Sequence, residues 1–166
     1  MERFSHKLAI APTASISIIC GGTSAGIEPI PANIYTHKTL SGPFAIKNPY
    51  LERLLDEKGI NTETVWGSIL EKEGSVQHLD ATNEDEKGVF KTAFELDQRC
   101  VIELAADRAP EICQAQSLNL FIPGDVNKWD LHMLHWSAWE RGVKSLYYLR
   151  SKSVQRAAFA GSQDKA

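Results

Sequence analysis

The sequence predicts an α/β protein, helix-rich through its middle and closing on a βαβ unit, that is one piece of a larger α/β structure. Three observations carry this prediction. Helix start and stop signals succeed one another from Asn48 to Pro110. An apolar run, a capped amphipathic segment and a second apolar run then follow between Gln116 and Leu149. Only three or so strands are visible, at the two ends of the chain. That is too few for the sheet, covered on both faces, that parallel crossovers imply.

Composition is compatible with this reading. The 166 residues fall in the range of one domain, with 43% hydrophobic and 23% charged residues. These values exclude collagen, coiled-coil and membrane-spanning classes and argue against wholesale disorder. A formal charge of −3 leaves no electrostatic footprint for nucleic acid. Cys20, Cys100 and Cys113 are odd in number and include no CxxC pair. Reduced thiols in a cytoplasmic protein are therefore expected, not a disulfide framework or a thiolate zinc site. The apolar run Leu8–Ala11 is far too short to cross a bilayer, and neither a targeting segment nor a membrane role is expected.

In chain order, Leu8–Ala11 predicts a short buried strand cut off by Pro12. Thr13 to Cys20 is a compact stretch of small, hydroxyl and β-branched residues, entered as a helix start and ended by Gly21-Gly22. Pro29, Pro31, Pro43 and Pro49 crowd residues 23–49, which predicts an ordered but irregular connection with no long helix. Asn48-Pro49 opens a helix through Lys58, closed by Gly59. Thr62 or Thr64 opens a second, through Trp66, Ile69 and Leu70 to Gly74. Thr82, with Asp85 three residues on, has capping-box spacing ahead of Val89, Phe90, Ala93 and Phe94. Asp97 caps a helix with an apolar face of Val101, Ile102, Leu104 and Ala105, ended by Pro110. The closing unit is a strand Gln116–Ile122, then a helix capped by Asp125 with Val126, Trp129, Met133 and Trp136 on its apolar face. Arg141 and Gly142 end that helix, and a parallel strand Val143–Leu149 follows.

Two segments could carry chemistry. Pro12-Thr13-Ala14-Ser15 joins a strand end to a helix start, where free backbone N–H groups and two hydroxyls suit an anion such as a diphosphate; a simple N-cap explains the same residues. Tyr147-Tyr148 lies in a strand, where consecutive side chains point to opposite faces. A functional pair in ring contact needs twisted or end-of-strand backbone. Other features carry weaker signals. His132 and His135 share a helix face without a third ligand at suitable spacing. Trp129, Trp136 and Trp139 read as a packed core face, not a stacking platform for bases. Glu28 reads as a loop hydrogen-bonding group or a site carboxylate. The run Asn83–Lys87 reads as a solvated helix start.

Taken together, several strings resemble one family. Leu8-Ala9-Ile10-Ala11-Pro12-Thr13-Ala14-Ser15, Gly26-Ile27-Glu28-Pro29, Thr39-Leu40-Ser41-Gly42, Phe90-Lys91-Thr92-Ala93-Phe94-Glu95, Gln116-Ser117-Leu118-Asn119 and Tyr147-Tyr148-Leu149-Arg150 occur in order. They resemble the C-terminal part of a class I ribonucleotide reductase large (catalytic) subunit, from about residue 5 to residue 156. The resemblance implies that residues 1–156 are the C-terminal segment of the family's ten-stranded α/β barrel, with 157–166 a disordered tail.

The resemblance also implies roles. The Pro-Thr-x-Ser turn, here Pro12, Thr13, Ala14 and Ser15, holds the diphosphate of a ribonucleoside diphosphate substrate. The next position, Ile16, keeps a backbone N–H but not the side-chain donor that relatives often have. Tyr147 and Tyr148 match the tyrosine dyad that relays a radical from a small subunit to an active-site cysteine. That cysteine, the reducing cysteine pair and the allosteric nucleotide sites are expected upstream, in the N-terminal remainder of the large subunit. No cofactor is expected on this chain. The dimetal centre belongs to the radical-generating small subunit, and thioredoxin or glutaredoxin re-reduces the complete enzyme. Cys100, where relatives tend to carry a bulky aromatic, is expected as core filler, and the C-terminal cysteine pair of many relatives is not seen. The implied function is a part of the enzyme that makes deoxyribonucleotides for DNA synthesis, inactive alone. A non-catalytic remnant that binds a nucleotide phosphate or a subunit is one alternative. A piece of an adenosylcobalamin-dependent reductase is another, opposed by the tyrosine pair.

Overall fold

The computed structural model describes residues 3–22 and 24–152, so the expected tail at 157–166 lies outside the described residues. The chain divides into two compact units. The described residues of the first fall within Met1–Thr13, Gly26–Glu28 and Asp97–Ala166, and those of the second within Ala14–Ala25 and Pro29–Leu96. Among the described residues the architecture is mixed α/β, helix-rich, with two two-stranded sheets.

The second unit opens with helix α1 (Ala14–Cys20), ended by Gly21 and Gly22 at φ +69° and +68°. Strands β1 (Ile34–Thr39) and β2 (Gly42–Lys47) then form an antiparallel hairpin, with Ile34 opposite Lys47 and Thr39 opposite Gly42. The hairpin corrects the expected irregular connection. Proline density misled because both strands are edges, and an edge tolerates Pro43 without losing a ladder bond. The alternating, β-branched Ile34-Tyr35-Thr36 was the signal for it. Thr39 Oγ1 accepts from the Ser41 N–H (3.2 Å) and donates to the Gly42 carbonyl (3.0 Å), which holds the two-residue turn.

Helix α2 (Pro49–Glu57) starts where predicted: Asn48 Oδ1 accepts the Tyr50 N–H and Pro49 occupies the first turn. Helix α3 (Glu63–Glu71) is capped by Thr62, whose Oγ1 accepts the Val65 N–H. Together with Ile34 and Val76, the buried faces of these helices (Leu51, Leu55, Trp66 and Ile69) form the core of the unit. Each such side chain stabilises the fold by roughly 1.5–3 kcal/mol through burial. The indole N–H of Trp66 stays paired, donating to Asn61 Oδ1 at 2.6 Å. Fully buried Asn33 ties three segments together. Its Nδ2 donates to the carbonyls of Gly74 (2.9 Å) and Phe90 (2.8 Å), and its Oδ1 accepts from Asn48 Nδ2 (2.9 Å).

Helix α4 (Glu84–Val89) is capped one residue later than Thr82. Asn83 and Glu86 close the reciprocal box at 2.8 Å in each direction. Glu86 reaches back to the cap N–H, while the Thr82 hydroxyl is buried and donates to the Leu79 carbonyl.

In the first unit, helix α5 (Gln98–Arg108) is capped by Asp97 as expected, and Pro110 sits in the 3-10 turn that ends it. Its buried side is Gln98, Val101, Ile102 and Ala105; Leu104 and Cys100 are exposed. Cys100 is therefore not core filler, because it falls outside the buried stripe. Strand β3 (Leu120–Ile122) pairs in parallel with β4 (Leu149–Ser151), and Ile10 makes an isolated parallel bridge to Gln116. The parallel strand–helix–strand order stands, but β3 is shorter than the expected Gln116–Ile122, and β4 is displaced beyond the expected Val143–Leu149, sharing only Leu149 with it. Residues 8–11 are mostly exposed, so they are not the buried strand expected.

Helix α6 (Lys128–Glu140) begins at Asn127, whose Oδ1 accepts the Trp129 N–H (2.8 Å). Asp125 is taken up in the preceding turn, in which the Val126 N–H meets the Pro123 carbonyl. Gly142, at φ +77°, follows the C-cap Arg141. The face of α6 is also corrected. Ala138 is buried and Leu134 half-buried against the core of Val101, Ile102, Ala105, Leu118 and Leu120. Trp129 (65% exposed), Trp136 (45%) and Trp139 (69%) face outward. α6 turns Ala138 and Leu134 toward this core, and the three indoles fall outside that side of the helix.

Candidate functional site

Two of the residues singled out by sequence meet directly. The Tyr147 and Tyr148 rings lie 4.1 Å apart between centroids, tilted by 48°, and the Tyr147 hydroxyl donates to the Tyr148 hydroxyl at 3.4 Å. Both phenols are about half exposed. Tyr147 ionises above the ordinary phenol range, because it would give up its hydrogen bond to Tyr148 and face a second phenol's charge. Arg150, whose guanidinium carbon lies 5.5 Å over the Tyr148 ring, partly opposes that rise.

The backbone explains why neighbours in sequence share one side. Regular pairing covers only Leu120–Ile122 against Leu149–Ser151, so the tyrosines stand just outside it. The Tyr147 N–H donates to the Leu118 carbonyl (2.9 Å), the Tyr148 N–H to the Asn119 side-chain oxygen (2.9 Å), and the Leu120 N–H to the Tyr148 carbonyl (3.0 Å). Behind them, Glu28 Oε1 accepts the Asn119 N–H at 3.3 Å. Glu28 thus holds the loop hydrogen-bonding role that was one of its two readings. Asn119 was quoted in a motif but given no role. Its signal was a turn-favouring amide standing between Leu118 and Leu120, where strand formers are usual.

The second candidate is the turn before α1. Pro12 and Thr13 are half-buried in the first unit, whereas Ala14, Ser15 and Ile16 are exposed and form the first turn of α1 in the second. Thr13 takes φ +50°, a left-handed conformation unusual for a β-branched residue. Its Oγ1 accepts the Gly26 N–H at 2.7 Å. Gly26 is itself required: at φ +54°, a Cβ would lie 3.1 Å from the Ala11 carbonyl oxygen. The first amides of α1 lack intrahelical acceptors, the property on which the anion reading rests.

His132 and His135 are exposed; His132 lies between Trp129 and Trp136, and His135 Nδ1 contacts the Leu131 carbonyl at 2.8 Å. Among the described residues, no group of three or more His, Cys, Asp or Glu side chains is placed to hold a metal. No helix among them is long and apolar enough to cross a membrane. All three cysteines are free and exposed. The Cys113 thiol ionises below the usual range because the Leu8 and Lys7 N–H groups donate to its sulfur, at 3.1 and 3.0 Å. A groove of about 670 Å³ in the second unit, missed by sequence, is lined by residues including Ser17, Gly22, Tyr35, Lys47 and Tyr50.

Residues 2–149 match the family model described as "Ribonucleotide reductase, barrel domain". The ribonucleoside-diphosphate reductase large subunit of Invertebrate iridescent virus 6 is 50% identical over 162 residues, a match covering 94% of this chain and 17% of that protein. The Danio rerio large subunit is 40% identical over 151 residues, covering 90% of this chain and 19% of its own length. Among solved structures, the Actinobacillus ureae class Id ribonucleotide reductase alpha subunit superposes with a TM-score of 0.78 at 43% identity. That match covers 89% of this chain and 26% of the other. The chain therefore spans about a sixth to a quarter of the length of such relatives. On this agreement of ordered motifs, family match and superposition, the chain belongs to the ribonucleotide reductase large-subunit family, as the C-terminal part of its barrel domain.

Proposed function

We propose that this chain contributes a substrate diphosphate cradle and a tyrosine radical relay to a class I ribonucleoside-diphosphate reductase. The observation that carries the reading is the contact between Tyr147 and Tyr148, with one hydroxyl donating to the other. A tyrosyl radical on one ring takes a hydrogen atom, one electron and one proton, from the neighbouring phenol. The first ring returns to phenol and the second becomes the radical. Moving both particles together avoids a charged intermediate, and ring contact keeps the transfer short.

The initial oxidising equivalent would be supplied by the small subunit and its dimetal centre. The relay ends on a cysteine thiol of the remaining large subunit, which loses hydrogen to become the thiyl that attacks the ribose. The 2′-hydroxyl leaves as water and is replaced by hydrogen. A cysteine pair outside this chain supplies the two electrons, and thioredoxin or glutaredoxin restores it. The N–H groups of Ala14, Ser15 and Ile16 at the start of α1, with the hydroxyls of Thr13 and Ser15, bind the diphosphate. The exposed apolar side chains of α1, Ile16 and Ile19 among them, fit a surface that the rest of the large subunit covers. The reductase product feeds DNA synthesis, and the assembly works in the cytoplasm.

The test combines the chain with the remaining large subunit and the small subunit, and follows reduction of a ribonucleoside diphosphate. Wild type should restore turnover. Tyr148→Phe should abolish it while leaving substrate binding intact, because phenylalanine has no O–H hydrogen to transfer. Undiminished turnover in that variant refutes the relay. Lack of turnover with every partner present favours a non-catalytic remnant.

A further inference from the structure

The hydrogen bonds around the tyrosine pair differ from a regular parallel ladder by one residue. With Leu120 opposite Leu149, the alternating parallel pattern continued backwards would give the Leu118 carbonyl an N–H from Tyr148. Tyr147 donates there instead, and the Tyr148 N–H is diverted to Asn119 Oδ1 at 2.9 Å. One residue is in effect inserted opposite Asn119, as in a β-bulge, and such an insertion turns a side chain away from strict alternation. Consecutive strand residues otherwise point to opposite faces. A ring contact of 4.1 Å between neighbours requires a departure of this kind.

We infer that Asn119, braced by Glu28, is a positioning residue that places the Tyr147 and Tyr148 rings in contact. The side-chain oxygen stands in for a missing ladder acceptor, so the displaced Tyr148 N–H is satisfied and the dislocated backbone is stable. Asn119 is buried, so a Tyr148 amide left without an acceptor beside it would destabilise the dislocated backbone. Its own N–H is held by the nearly buried Glu28 carboxylate, which fixes the Asn119 backbone from the opposite end of the unit's sequence. The four residues form one line, from Glu28 through Asn119 to Tyr148 and Tyr147, within the first unit. Neither Asn119 nor Glu28 needs to touch substrate or carry a radical.

The geometric claim stands without the relay, whereas its consequence for catalysis rests on the relay reading. The two are tested separately. In the full chain labelled at tyrosine rings and backbone amides, wild type should show inter-ring nuclear Overhauser effects between Tyr147 and Tyr148. Asn119→Asp, which keeps a side-chain oxygen, should retain them. Asn119→Leu, of similar size without an acceptor, should lose them and expose the Tyr148 amide to exchange, while the amide resonances of α5 and α6 stay in place. Inter-ring effects that persist in Asn119→Leu overturn the inference. If that variant loses its amide dispersion, Glu28→Ala and Glu28→Gln decide: weakened ring contact in the first and retention in the second support it, and equal behaviour overturns it. In the reconstituted enzyme, Asn119→Leu should lower kcat on the order of tenfold to a hundredfold with KM unchanged, and Asn119→Asp should recover it. An active Tyr148→Phe enzyme would sink the relay and leave the ring-contact result standing.

Discussion

Replacing Asn33 with alanine removes three side-chain hydrogen bonds from a fully buried position in the second unit. They run to the Gly74 and Phe90 carbonyls and from the Asn48 amide, all at 2.8–2.9 Å. At a net value of about 1 kcal/mol each, the loss is about 3 kcal/mol. The loss is not uniform across the partners. The Gly74 carbonyl keeps the backbone N–H of Asn33 at 3.2 Å, and the half-buried Asn48 amide can reach water. The Phe90 carbonyl loses the Asn33 donor and supplies the larger share. Urea unfolding followed by the Trp66 environment should show a lower midpoint with an unchanged m-value. At about 4–8 °C per kcal/mol for a unit of this size, the melting temperature should fall by roughly 12 °C or more. Asn33→Asp adds a sign check. It keeps the acceptor for Asn48 but sets a carboxylate against two carbonyls, which raises its folded-state pKa above the unfolded value. Its protonated form is the stable one, so the deficit should grow as pH rises through the folded pKa and shrink on acidification. A loss below about 0.5 kcal/mol in Asn33→Ala, or a pH-independent Asn33→Asp, would refute the reasoning.

Other outcomes follow from the same structure. Gly74→Ala combines φ +86° with a Cβ 2.5 Å from the Ala32 Cβ and 2.8 Å from the Asn33 nitrogen, whereas Gly59 at φ +69° faces open space. Urea titration should show about 1–2 kcal/mol lost at Gly59→Ala, from the left-handed backbone alone, and clearly more at Gly74→Ala; the reverse order refutes the contact argument. With its thiol pKa lowered by the Leu8 and Lys7 amides, Cys113 should react with iodoacetamide at neutral pH ahead of Cys20 and Cys100, as read by peptide mass mapping. Because its folded pKa is depressed, the stability it contributes is present above the unfolded thiol pKa and is lost as pH falls through the folded one. Equal alkylation of the three cysteines would contradict this. In an absorbance titration, Tyr147 should ionise above the ordinary phenol range, and Tyr148→Phe should bring it back down. An unmoved titration would show that the pair does not share its proton.

Local chemistry settled the helices. The caps Asn48, Thr62 and Asp97 and the terminating Gly59, Gly74 and Gly142 act within four or five residues of themselves, so their meaning can be read along the chain. The parallel order of the closing strand–helix–strand unit was legible for a similar reason, since a crossover helix leaves few other arrangements. Misplaced caps at Thr82 and Asp125 came from neighbouring residues with equal capping chemistry, where reach and turn geometry chose between them. The outward tryptophans of α6 were not legible, because an all-round apolar helix does not declare by periodicity which side packs on the core, and here Ala138 and Leu134 do. The tyrosines could be named from their motif, but their contact could not. It depends on the Asn119 amide taking the place of a strand, and on Glu28 reaching Asn119 across 91 residues of sequence. The sequence alone determined the family and where the helices start and stop. Only the tertiary structure decided how two neighbouring rings come to touch, because hydrogen bonds between distant segments decide the side on which a strand residue emerges.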